Sequence, residues 1–180
     1  IPDHELEHLI IYQVGALQAL ARAAGQTVSH VRAHGALGNM SDSDPAVAAP
    51  LAHAVHKLNA GLALMTLPGC PAEVAATGLG LKVARQAFAD RAYNDDGSLV
   101  SRQLDGAVMT DPRAAAERVV RLVHEGTVVT ITGKTIALGA RTVCVHGDSP
   151  AAVAMAESIR NRLENDGITI RPFFEHDDWN

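Results

Sequence analysis

Apolar residues recur at helical spacing almost from the start of the chain. Leu6, Leu9, Ile10, Leu17, Leu20, Ala21 and Ala24, with Gln13 among them, predict a first helix, Asp3 serving as its N-cap and Gly25 closing it. The β-branched run Thr27 to Val31 predicts a strand that gives way to Ala33-His34-Gly35. Asp44-Pro45 is a cap followed by a first-turn proline, and Val47, Leu51, Val55 and Leu58 form the stripe of the next helix. Pro50 inside that stripe predicts a kink or a late start. Further on come a buried strand from Leu62 to Leu67, a short helix from Pro71 to Thr77, and a strand from Leu81 to Ala89 running into Asp90-Arg91. Tyr93 to Ser101 reads as a polar loop. Asp111-Pro112 opens a helix carrying Val119, Val120 and Val123 and closed by Gly126. Thr127 to Leu138, broken by Thr132-Gly133-Lys134, predicts a hairpin, and Arg141 to Val145 a buried strand. Ser149-Pro150 opens the last long helix, and Ile168 to Ile170 a closing strand.

Strands alternating with helices in this way predict an α/β fold with parallel strands. Composition agrees: 47% of residues are hydrophobic but only 3% aromatic, so the core is built from Ala, Val, Leu and Ile. Residues 1–172 are expected to form a single β/α domain, with 173–180 as a loose acidic tail. About five core strands are too few to close a barrel, and the chain opens on Ile1 already in a helical pattern, which suggests a fragment. A net charge of -5 without any Lys/Arg run excludes a nucleic-acid partner. No apolar run approaches a membrane span and nothing in these residues resembles a signal peptide, so no membrane role is expected. Two distant cysteines, Cys70 and Cys144, read as reduced thiols in a cytoplasmic protein.

In parallel α/β folds the loops after the strands carry the chemistry. Three apolar strands here end abruptly in ionisable groups: Arg32-Ala33-His34-Gly35 with Asn39, Asp90-Arg91 with Tyr93, and His146-Gly147-Asp148. A histidine moves a proton near neutral pH, a carboxylate orients it or activates water, and an arginine holds an anionic oxygen. That set suits a hydrolase. The N–H groups of the helix opening at Ser149 add an anion-binding end. Each residue also has a plainer reading. A strand-end histidine is more often structural; Asp148 can cap the Ser149 helix; Asp90 and Arg91 can pair locally; Tyr93 and Asn39 can serve turns. His4 and His8, like His53 and His56, read as solvated helix faces. Cys144 reads as a small core residue, and Cys70, at a helix start, as the less inert thiol.

Val31-Arg32-Ala33-His34-Gly35-Ala36-Leu37-Gly38-Asn39-Met40 resembles the V-K-P-H-G-A-L-Y-N motif of the LamB/YcsF family. Phe88-Ala89-Asp90-Arg91-Ala92-Tyr93 is similar to its F-A-D-R-x-Y segment, Cys144-Val145-His146-Gly147-Asp148 to its C-V-H-G-D segment, and Tyr12 to Leu17 fits its helix. These motifs occur in the family's order along essentially the whole chain.

The resemblance implies the A subunit of a bacterial 5-oxoprolinase, which opens the lactam of 5-oxoproline to glutamate with ATP and Mg2+, beside the B and C subunits. It implies an irregular parallel β/α barrel of the glycoside hydrolase/deacetylase type, incomplete in this chain. His34, Asp90, His146 and Asp148 would be catalytic, and Arg32, Asn39, Arg91 and Tyr93 would contact the lactam. Phosphorylating the lactam oxygen would make a leaving group, and a His/Asp pair would position water. No protein-bound metal is expected, and a homo-oligomer is left open. The family's N-terminal segments N-x-D-x-G-E, C-G-x-H-A-G-D and G-A-H-P-S do not occur among these residues. Arg32 stands for Lys, Ala33 for Pro, Gly38 for Tyr and Gln86 for Glu. Two rivals follow: a metal-dependent amide hydrolase or deacetylase, and a catalytically weakened subunit serving its partners structurally.

Overall fold

A computed structural model describes residues 1–172, which fall into two compact units, one made by Ile1–Ala84 and one beginning at Arg85. The acidic tail expected at 173–180 lies outside the described residues.

In the first unit, α1 (Asp3–Ala23) lies against α3 (Pro45–Leu58). The stripe of α1 that packs is Leu6, Ile10, Ile11 and Val14, while Leu9, Leu17 and Leu20 stay exposed. Asp3 is the first helical residue rather than the cap, which is Pro2; its carboxylate still lies where the helix dipole favours negative charge. Gly25, at φ +70°, ends α1 as expected. β1 is only His30–Val31 and pairs in parallel with β2 (Ala63–Thr66), Val31 opposite Leu64. All of β2 is buried, as is usual for a strand of a parallel sheet. α3 starts directly at Pro45, with the Asp44 carboxylate accepting the Ala46 N–H at 2.9 Å, so Pro50 delays nothing. Pro50 is buried inside α3, where it supplies no backbone donor. α4 (Pro71–Gly78) completes the unit around Leu51, Val55, Leu62, Leu64 and Leu81.

A helix that the pattern hides, α2 (Gly35–Ser41), follows β1. Gly35 has φ +60°, a left-handed conformation that favours glycine. Gly38 is needed for a different reason. A Cβ there would lie 2.7 Å from the Ala33 carbonyl oxygen, so two of the departures from the family motif, at 33 and 38, meet each other. Gly38→Ala is expected to destabilise the protein by about 1–3 kcal/mol, read as a lowered urea midpoint. An unchanged midpoint would mean that this approach relaxes freely.

β3 (Lys82–Phe88) carries the chain into the second unit, where it pairs in parallel with β6 (Thr142–Cys144), Gln86 opposite Thr142 and Phe88 opposite Cys144. β6 is half-buried rather than buried. α5 (Pro112–Glu125) and α6 (Ala152–Asn165) pack together through Ala115, Ala116, Val119, Met155, Ile159 and Leu163. Val123 faces outward and Leu122 takes the buried place expected of it. Asp111 caps α5 by accepting from Arg113 N–H at 2.9 Å, and Gly126 closes it at φ +65°. The hairpin β4 (Thr127–Val129) and β5 (Thr135–Ala137) forms as expected.

Three further elements differ. Tyr93 to Ser101 is polar only at its tip: Tyr93 pairs with Leu99, and both Tyr93 and Val100 are buried. Ser149 does not cap α6; its carbonyl accepts the Ala152 N–H in a tight turn, and the helix begins later. Ile168 to Ile170 is no strand. Gly167, at φ +76°, ends α6, and Ile168 N–H bonds Leu163 carbonyl, so the β-branched side chain packs back on the helix core. The α/β class with parallel strands holds. Among the described residues no helix is long and apolar enough to cross a membrane.

Candidate functional site

The second unit gathers ionisable groups where β3 and β6 end. Phe88 and Cys144 lie opposite each other in register, and Asp90 and His146 follow two residues beyond each, just past the strand ends. His146 Nδ1 is 2.8 Å from both carboxylate oxygens of Asp90. A carboxylate only accepts, so Nδ1 carries a hydrogen, and in the neutral form of the ring the Nε2 lone pair is the one left as a base. Both groups are well shielded, with side-chain exposures of 13% for His146 and 9% for Asp90, so the attraction is weakly screened. The ring of Phe88 stacks on the imidazole, centroids 5.3 Å apart and planes at 16°. Among the residues expected to be catalytic, this is the pair that the described contacts join.

Asp148 is exposed and caps nothing. It meets Arg102 at 3.3 Å, and a bond to its own backbone N–H, then Arg102, hold its carboxyl below the usual range. Arg91 does not pair with Asp90; it is buried, and its Nη2 donates to the Val100 carbonyl at 2.6 Å. Its Nε is buried without a hydrogen-bond partner among the described residues. Burial, then the neighbouring Arg102, lower the pKa of Arg91. Arg118, absent from the sequence expectations, donates to the Arg91 carbonyl; burial lowers its pKa while Tyr93 and Asp90 oppose that. Tyr93 is fully buried, its hydroxyl accepting the Phe88 N–H at 2.7 Å, and burial pushes its pKa up to about 12.

In the first unit Arg32 forks onto Asp42, with Nη2 to Oδ2 at 2.7 Å and Nη1 to Oδ1 at 3.2 Å, and also donates to the Met65 carbonyl. Asp42 additionally accepts from the Cys70 thiol at 3.4 Å. His34 is exposed at the N-cap position of α2 and makes no capping bond, and Asn39 is exposed on the same helix. Cys70 is not the activated thiol its helix-start position suggests. Burial first, then the Asp42 charge, push its pKa up to about 11. At pH 8 a thiol reagent is expected to leave Cys70 unmodified in the folded protein and to label it after denaturation. Because the folded state holds that proton more tightly than the unfolded one, stability falls as pH rises from about 9 towards about 11. Rapid labelling of Cys70 in the native state would contradict this placement.

Among the described residues no three His, Cys, Asp or Glu side chains are grouped so as to hold a metal ion. The missed participants (Phe88, Arg102, Arg118 and Asp42) have no signal in the sequence beyond their type, except that Phe88 sits inside the motif Phe88 to Tyr93.

The family model for LamB/YcsF matches residues 1–178. The chain belongs to the LamB/YcsF family. It is 48% identical over 173 residues to the 5-oxoprolinase A subunit of Nitrobacter hamburgensis, covering 96% of this chain and 68% of that protein. It is 47% identical over 169 residues to the 5-oxoprolinase A subunit of Rhodopseudomonas palustris, covering 94% and 66%. The crystal structure of the lactam utilization protein from Thermus thermophilus shares the fold with a TM-score of 0.91 at 38% identity, over 96% of this chain and 69% of that one. The chain thus spans about two thirds of the length of the relatives it matches.

Proposed function

We propose that this LamB/YcsF chain acts as the A subunit of a 5-oxoprolinase, a hydrolase that opens the cyclic amide of 5-oxoproline to L-glutamate. The carrying observation is the Asp90–His146 pair, a shielded imidazole with its tautomer set and Nε2 left to take a proton from water. The names of the relatives support the substrate, and the pair supports a hydrolytic step. A lactam is a poor electrophile, so turnover depends on ATP at the level of the complex, with the B and C subunits as partners. Arg91 is assigned to an anionic oxygen of the lactam, a role that requires its buried guanidinium to open to the substrate. Asp148 and Arg102 form the exposed flank of the same unit. A cytoplasmic location fits Cys70 and Cys144, which form no disulfide among the described residues.

Co-expression of the chain with B and C subunits of a related system tests this. Co-purification and 5-oxoproline-dependent ATP hydrolysis above a control without this chain are expected. A stable complex with no turnover would overturn the proposal in favour of a structural role.

A further inference from the structure

The groups that hold His146 extend past its carboxylate partner. The imidazole has one ring nitrogen fixed by Asp90 and one face covered by Phe88. A hydrogen bond to Nδ1 still lets the ring swing about that contact; a parallel aromatic ring removes this freedom. Phe88 is itself held from two sides. Its N–H is taken by the hydroxyl of Tyr93, which has no solvent exposure, and the next N–H, of Ala89, donates to the Cys144 carbonyl at 2.9 Å. Tyr93 thus reaches no solvent, and its one polar side-chain atom is spent on the backbone that carries the ring.

We infer that Phe88 and Tyr93 are positioning residues for His146: Phe88 fixes the plane of the imidazole, and Tyr93 fixes Phe88. The chain of contacts runs from Tyr93 Oη to the Phe88 backbone, from the Phe88 ring to the imidazole, and from Nδ1 to Asp90. It assigns Tyr93 an indirect role, and it gives the aromatic at 88 a function beside its burial. The charged groups that interact with the imidazole are Asp90, in direct contact, and Asp148, itself held by Arg102. This role rests on the hydrolase reading only where turnover is measured; the orientation of the ring is readable without it.

The test follows the His146 ring nitrogens by long-range 1H–15N correlation in the full chain, at a pH where the imidazole is neutral, with His146→Asn to assign the signal. The wild type is expected to show one neutral tautomer, protonated at Nδ1. Phe88→Leu is expected to keep that tautomer, which Asp90 sets, but to broaden and shift the signal as the ring exchanges between orientations, Tyr93→Phe to give a smaller change in the same direction, and Phe88→Tyr, which keeps the ring, the wild-type signal. In the complex with B and C, Phe88→Leu is expected to lower kcat about tenfold or more with KM within about twofold, since small misplacements of a reacting group cost rate rather than binding. A folded Phe88→Leu protein whose His146 signal is as sharp as the wild type's and at the same position overturns the inference and leaves Phe88 a core residue. An inactive wild-type complex, with the His146 signal nonetheless broadened in Phe88→Leu, upholds the positioning role and sinks the hydrolase reading instead.

Discussion

Replacing His146 by Ala or Asn is expected to lower 5-oxoproline-dependent turnover by about 10²–10⁴-fold, the range over which a positioned general base contributes. The two variants separate chemistry from structure. Ala leaves the shielded Asp90 carboxylate without its donor and so costs stability, about 1–3 kcal/mol for an unsatisfied group. Asn keeps an N–H near the place of Nδ1 and spares most of that cost, but it cannot accept a proton as imidazole does. Equal loss of turnover in both, with a near-native urea midpoint in His146→Asn, identifies the base. Turnover retained in His146→Asn would mean that the nitrogen facing Asp90 matters only as a structural donor.

Arg32→Ala is expected to cost about 3–5 kcal/mol, because it strands a buried carboxylate that the guanidinium now neutralises. The Asp42 side chain is 7% exposed and would keep only the weak thiol contact with Cys70. Against a total stability of about 5–15 kcal/mol for a domain, that is enough to populate unfolded chains at ordinary temperature. Arg32→Lys restores the charge but not the fork, so it is expected to recover part of the loss and not all. Arg32→Ala combined with Asp42→Asn is expected to be more stable than Arg32→Ala alone, since the orphan is then neutral. Urea unfolding of the four proteins checks the series. An unchanged midpoint in Arg32→Ala, with turnover lost, would return Arg32 to the lactam contact that the sequence suggests.

That contrast shows where sequence reading works. Asp44 and Asp111 cap helices as expected because a cap is a local device, complete within three residues. The buried run at β2 and the hairpin after Gly126 are equally local. α2 escapes because two of its seven residues are glycine, one for a left-handed turn and one for a close backbone approach. Ile168 misleads because β-branching signals a strand, whereas here the side chain closes the end of a helix.

The site divides in the same way. Asp90 and His146 stand out as ionisable groups after apolar strands, and the family motifs reinforce them. Their pairing follows from the register of Phe88 opposite Cys144, which links positions 56 residues apart. Arg32 looks like an anion holder because its carboxylate partner lies ten residues away, just past an unexpected helix. Phe88 and Tyr93 have their roles only in three dimensions.

Glutamate release from 5-oxoproline and ATP, measured in the complex with B and C subunits, tests the proposed activity most directly. With this chain present, glutamate is expected in step with ATP hydrolysis, at a rate that falls when Asp90 is replaced by Asn. No glutamate above the control without this chain, from a complex shown to be intact, would contradict it.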